Sequence, residues 1–281
     1  FVSAGLGGMS GAQGKAAEIA GAASIIAEVD DSRIETRYTQ GWVNHRTDSL
    51  EEATKIALDH QKEGKPCAVA YCGNIVDLLD IYVKNGKLNL GFKKNVKVSY
   101  NKLEIRVTSE DLNAVNVAGS GDFKFTNGLK TDQLKMNVAG SGDITASNIQ
   151  CSQEFTANVA GSGDIECKQL KAADMDISVA GSGDLKIENA LVTSANASVA
   201  GSGTVKISGN ADKANYSVAG SGDLYANDFK VQNISASVAG SGDIKCHAVE
   251  HLKARVSGSG TIGYKGDPEL DYPEKKKVYK L

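Results

Sequence analysis

The sequence predicts a mainly β protein, a single-stranded parallel β-helix with three sides and about 20 residues per turn, preceded by a small truncated α/β segment. Three observations carry this. A Gly-Ser-Gly corner recurs at a near-constant period, apolar residues alternate in register on both sides of it, and the first 83 residues have a different composition.

The corner reads Ala-Gly-Ser-Gly or Ser-Gly-Ser-Gly, with its first glycine at Gly119, Gly140, Gly161, Gly181, Gly201, Gly220, Gly240 and Gly258. The spacings are 21, 21, 20, 20, 19, 20 and 18. A fixed period of this size marks a stack of units, each of which buries an apolar face only against its neighbours. Glycine on both sides of the serine suits a corner that needs positive φ or close backbone stacking.

Two places before each first glycine stands valine, from Val117 to Val256, and two places earlier come Val115, Met136, Ala157, Ile177, Ala197, Tyr216, Ala236 and Ala254. That is the period of a strand with one buried face. Beyond the corner the alternation resumes, for example at Ile144 and Ala146 and at Leu185 and Ile187. A third inward point is expected at Leu129, Ile149, Leu170, Leu191, Phe229 and Val249, which gives three sides per turn. Cys167 and Cys246 share this register and are expected to point inward as small apolar groups. Eight turns at about 4.8 Å make a rod of roughly 40 Å.

The division into domains follows composition. Residues 1–83 are rich in Ala and helix formers, residues 84–265 carry the repeats, and residues 266–281 form a charged tail with a solvated run from Glu274 to Lys277. The net charge of −3 is spread along the chain and points to neither nucleic acid nor an anionic membrane. Five cysteines without a Cys-x-x-Cys pair argue against a disulfide framework or a zinc knuckle. No apolar stretch reaches the roughly 18 residues of a membrane span, and no basic-then-apolar leader is present.

Six corners continue into aspartate, at Asp122, Asp143, Asp164, Asp184, Asp223 and Asp243, with Thr204 and Thr261 in the other two. Stacked carboxylates repel, so each is expected to accept hydrogen bonds from its own turn while Lys124, Lys186, Lys206 and Lys245 neutralise the column. Calcium-binding rolls use a nonapeptide repeat, which this period exceeds twofold. A polysaccharide-cleaving helix needs an isolated acid pair and an aromatic platform, and aromatics are only 6% of the chain. His247 and His251 have helical zinc spacing but fall in a repeat, where that spacing carries little. No catalytic or metal-binding residue is expected.

The repeats, with the strand-like Lys87 to Phe92 and Lys102 to Thr108 before them, resemble the auto-transporter adhesin head called the GIN domain, over roughly residues 80 to 265. The resemblance implies a β-helical fold in exported or envelope proteins, with a surface ligand such as a glycan or protein and no catalytic residues to carry over.

The first eighty residues read as half of a Rossmann-like unit. Phe1-Val-Ser-Ala ends a strand, Gly5-x-Gly-x-x-x-Gly11 forms a turn, a helix runs from Gln13 to Gly21 and a strand from Ala23 to Val29. Asp48 or Ser49 caps a helix from Leu50 to Gly64, and Pro66 to Tyr71 forms the next strand. Such a glycine turn admits a pyrophosphate, and an acid some 20 residues on meets a ribose hydroxyl. Ser3-Ala-Gly-Leu-Gly-Gly-Met-Ser-Gly-Ala-Gln13, Ile26-Ala-Glu-Val-Asp30 and Tyr71-Cys-Gly-Asn-Ile-Val-Asp77 resemble urocanate hydratase. This resemblance implies NAD contacts at Gly8, Met9, Ser10, Glu28, Arg33, Asn74 and Ile75. It stops near Asp80, before the region of that family's catalytic cysteine, and neither Cys67 nor Cys72 matches it. Hydratase activity is not expected. The two families meet between residues 75 and 86 with no linker, the mark of a chimera.

Overall fold

A computed structural model describes residues 2–7, 12–74, 77, 79–93, 104–272 and 277–281. The chain forms two compact units, Phe1–Val107 and Thr108–Leu281. It is mainly β, with a small α/β segment at the start.

The first unit opens with β1 (Val2–Ala4), α1 (Gln13–Ile19), β2 (Ala23–Glu28), α2 (Asp31–Thr39), β3 (His45–Thr47), α3 (Leu50–Lys62) and β4 (Cys67–Cys72). The strands make one parallel sheet in the order β1-β2-β4-β3. β2 and β4 are apolar along their length because both faces of the sheet are covered. Ile25, Ala27, Cys67, Val69 and Tyr71 pack with Ala53 of α3, while Ile26, Ala68 and Ala70 pack with Leu6, Ile34 and Val43. Ser49 caps α3 by accepting the Glu52 N–H at 3.3 Å, and Gly64 at φ +67 ends the turn that follows. Helix α2 has no counterpart in the sequence reading. Only Ile34 of its nine residues is buried, so it lacks an apolar stripe, and its start is set by Asp30, whose carboxylate accepts the Ser32 N–H.

Next comes an antiparallel hairpin of β5 (Leu79–Lys84) and β6 (Lys87–Phe92). Asn85 at φ 52 and Gly86 at φ 74 form its two-residue turn, as a type I′ hairpin requires. The hairpin is a sheet of its own. It lies within the first unit, which ends at Val107. The expected strand Lys102 to Thr108 is not formed where it can be followed: residues 104–108 are irregular, with Ile105 and Val107 exposed, and Lys102 and Leu103 lie outside the described residues.

In the second unit every repeat pairs in parallel with the next. It begins with β7 (Ala114–Gly119), β8 (Phe123–Lys124) and β9 (Leu129–Gly140). Val117 lies beside Val138, Val138 beside Val159, and so on to Val238 beside Val256, each corner glycine beside the next. The inward residues form one continuous core from Val115 to Val278.

Two expected inward positions are corrected. Leu191 is 55% exposed and Ala190 is buried instead; likewise Ala248, not Val249, is buried. A register shift of one residue between Ile187 and Ala190, and a larger one between Ala226 and Lys230, displace these positions from the period of the repeat. The tail is corrected as well. Glu269–Asp271 pairs with His251–Lys253, Val278–Lys280 pairs with Ile262–Tyr264, and Val278 is buried, so residues after 265 extend the stack. Glu274, Lys275 and Lys276 of the charged run lie outside the described residues.

Candidate functional site

Two places gather polar groups in order: the carboxyl ends of β1, β2 and β4 in the first unit, and the corner column in the second.

Parallel strands deliver their carboxyl ends to one edge of the sheet, where ligands of open α/β folds bind. Gly5 leaves β1 at φ 92, with its N–H on Ala27. Glu28, the last residue of β2, is buried and needs compensation for its charge. It finds it locally: Oε2 accepts the Leu6 N–H at 2.7 Å, Oε1 accepts the Asp30 N–H at 3.1 Å, and Arg33 Nη1 stands 3.8 Å away. Arg33 also reaches Asp30 at 3.3 Å. The Ser32 hydroxyl, hydrogen-bonded to Asp30, holds that carboxyl below its ordinary range. At the end of β4 the Gly73 N–H donates to the Glu28 carbonyl, and the Asn74 N–H and Tyr71 hydroxyl both donate to Asp77 Oδ2. Burial, with Asp77 adding to it, pushes the Tyr71 hydroxyl up to about 12.

Thus Glu28, Arg33 and Asn74 come to the carboxyl edge of one sheet, while Gly8, Met9, Ser10 and Ile75 lie outside the described residues. Sequence reading missed Arg37. Its Nε and Nη2 donate to the carbonyls of Leu6 and Gly7 at 3.1 and 3.3 Å, and its guanidinium lies 4.5 Å from the Trp42 ring centroid. The available signal was its place one helical turn beyond Arg33. In this sheet β1 is the edge strand.

The corner column is bonded differently from expectation. Each aspartate accepts the backbone N–H of the next repeat, not of its own turn. Asp122 takes Asp143 N–H at 3.1 Å, Asp143 takes Asp164 at 2.8 Å, Asp164 takes Asp184 at 2.8 Å and Asp184 takes Thr204 at 3.0 Å. The series resumes at Asp223 to Asp243 and ends with Asp243 to Thr261. Thr204 offers no carboxylate, and the Asp223 N–H turns to the Gly203 carbonyl at 3.2 Å. The expected lysine neutralisation is corrected too. Lys186 pairs with Glu166 and Glu188, Lys245 lies over the Tyr225 ring, and among the described residues none of the four lysines pairs with a column aspartate. Fixed N–H donors do that work instead.

The corner glycines are required by contact. A Cβ on Gly163 would overlap the Gly142 carbonyl oxygen and stand 2.9 Å from Val138 Cγ1. A parallel column on the strand before the corner is amide-linked: Asn137 Nδ2 donates to Asn116 and Asn158 Nδ2 to Asn137, at 2.7 and 2.9 Å. Among the described residues no three His, Cys, Asp or Glu side chains are grouped to hold a metal. His251 pairs with Glu269 at 3.3 Å. Burial, then the charges of Lys230 and Lys265, keeps His247 below its ordinary value. Burial also pushes the thiols of Cys151, Cys167 and Cys246 up to about 11, 12 and 12.

The family whose model describes the "Putative auto-transporter adhesin, head GIN domain" matches residues 61–167 and 155–268, most of the chain. The chain belongs to this GIN-domain family. Solved structures agree. One described as a "putative adhesin" from Parabacteroides distasonis is 25% identical, with a TM-score of 0.58 over 73% of this chain and 79% of that one. Another so described, from Parabacteroides merdae, is 26% identical, with a TM-score of 0.58 over 73% and 78%. A third, described as a "Putative lipid binding protein" from Parabacteroides distasonis, is 27% identical, with a TM-score of 0.54 over 74% and 80%.

The start of this GIN-family chain also matches the urocanase Rossmann-like domain, over residues 1–94. Over 78 residues it is 45% identical to a probable urocanate hydratase of Caenorhabditis elegans and 46% identical to human urocanate hydratase. That is 28% of this chain, and it spans 12% of the length of those relatives.

Proposed function

We propose that this protein is a non-catalytic adhesin head exposed at the cell envelope or secreted, built as a three-sided single-stranded β-helix over the second unit. The parallel register of eight glycine corners carries the reading. A fold in which each repeat contacts only its neighbours makes a long, regular outer surface suited to binding an extended glycan or a protein. Family membership and the similar adhesin structures support it. Buried thiols and a uniform aspartate column favour a scaffold over a reaction centre. The test is binding of the full chain to arrays of glycans and extracellular proteins, together with protease shaving of intact cells. Saturable binding and cleavage at the surface are expected. A protein confined to the cytoplasm that hydrates urocanate would overturn the reading.

A second reading concerns residues 1–83, and the buried Glu28 at the end of β2 favours it. Here the partial urocanase segment keeps the adenosine side of an NAD site, formed by Gly8, Met9, Ser10, Glu28, Arg33, Asn74 and Ile75, without hydratase chemistry. NAD then raises the melting temperature of the first unit, and Glu28→Ala abolishes the shift. An unchanged melting temperature rejects it.

A further inference from the structure

We infer that the hairpin Leu79–Phe92 docks on an anionic lipid surface, an interaction that goes beyond the adhesin reading. The pairing Leu79 with Phe92, Ile81 with Leu90 and Val83 with Leu88 puts six apolar side chains on one face. The opposite face carries Asp80, Tyr82, Lys84, Lys87, Asn89 and Gly91. Toward the tip the apolar face is open: Val83 is 70% exposed, Ile81 45% and Leu90 44%. A two-stranded hairpin is marginally stable alone, and a patch of roughly 500 Å² is of the size that marks an interaction site.

Charge identifies the occupant. The net charge of the whole chain hides a local excess: residues 79–93 hold Lys84, Lys87 and Lys93 against Asp80. Lys84 and Lys87 stand directly opposite each other at the tip, and neither has an ion-pair partner among the described residues. Like charges in that position destabilise a hairpin unless an anion bridges them. Lys84 follows Val83 and Lys87 precedes Leu88 in the chain, both on the opposite face. The hairpin's end thus carries an apolar face on one side and two cations on long stems on the other, the amphipathic combination that holds a segment at an anionic membrane. A second copy fits less well. Face-to-face hairpins would bury about 1,000 Å² in total, the floor for a specific interface, and would add to the positive charge already there.

The test is cosedimentation of the full chain with vesicles of phosphatidylcholine, with and without 30% phosphatidylglycerol. Binding is expected only with phosphatidylglycerol, falling as salt rises. Lys84→Glu with Lys87→Glu should weaken it roughly tenfold or more. Val83→Asp should abolish it while the circular dichroism of the stack stays unchanged. Equal sedimentation with both vesicle types, or binding indifferent to these substitutions, overturns the inference. So does a concentration-dependent dimer that Val83→Asp dissolves in the absence of vesicle binding, which assigns the face to a second copy.

Discussion

Asp164 and Asp184 stand one repeat apart, and the carboxylate of the first accepts the backbone N–H of the second at 2.8 Å. The bond stitches one turn of chain to the next through a side chain, where the corner interrupts the strand ladder. Asp164→Ala leaves the Asp184 N–H without this acceptor and should cost about 1 kcal/mol, while Asp164→Asn, which keeps an oxygen, should cost less. Urea unfolding midpoints of the two variants check the order.

The corner glycines supply an internal control. A Cβ on Gly163 overlaps the repeat below, but a Cβ on Gly121, in the first repeat, meets nothing within 4 Å. Gly163→Ala should destabilise by about 3 kcal/mol, and Gly121→Ala by well under about 1 kcal/mol. Thermal unfolding of the pair separates a backbone contact from a general dislike of alanine at the motif.

Tyr216 is 2% exposed, and its hydroxyl has no hydrogen-bond partner among the described residues. Alanines at 197 and 236, its neighbours in register, leave room for the ring. Tyr216→Phe removes an unsatisfied polar atom and should stabilise the stack by about 1 kcal/mol. A lower unfolding midpoint for this variant would contradict the expectation.

The buried thiols set an alkaline limit. Burial raises Cys151, Cys167 and Cys246 to about 11, 12 and 12, above the ordinary 9.0. The unfolded chain therefore loses these protons first. Stability from this source is whole below pH about 9 and falls as pH rises from there toward about 12. Melting temperature against pH should bend downward near pH 9, and aromatic disulfide reagents should reach these three thiols only after denaturation.

Much of the second unit was legible because each repeat restates the same alternation, so that Val117, Val138 and their successors fix the inward face. Leu191 and Val249 were misread for a physical reason: the shift that turns Ala190 and Ala248 inward is a property of pairing with the neighbouring repeat, and period alone does not show it. The aspartate bonds were illegible for the same reason, since donor and acceptor lie about one period apart in sequence. Val278 was hidden by the charged run before it. In the first unit the end of the second strand was legible, since the acid at position 28 closes it. Arg37 was missed because its contacts to the first strand's exit are with the backbone carbonyls of Leu6 and Gly7, and backbone acceptors have no sequence signature.

The places where the register shifts all lie between corners, as between Ile187 and Ala190 or Lys206 and Ser208, and none falls at a corner glycine. Spacings of 18 to 21 therefore coexist in one parallel stack of repeats. Such a molecule can lengthen or shorten by whole repeats, and single residues can enter or leave its sides, while the corners admit neither. The number of stacked repeats is then a quantity that gene duplication can adjust in uniform steps.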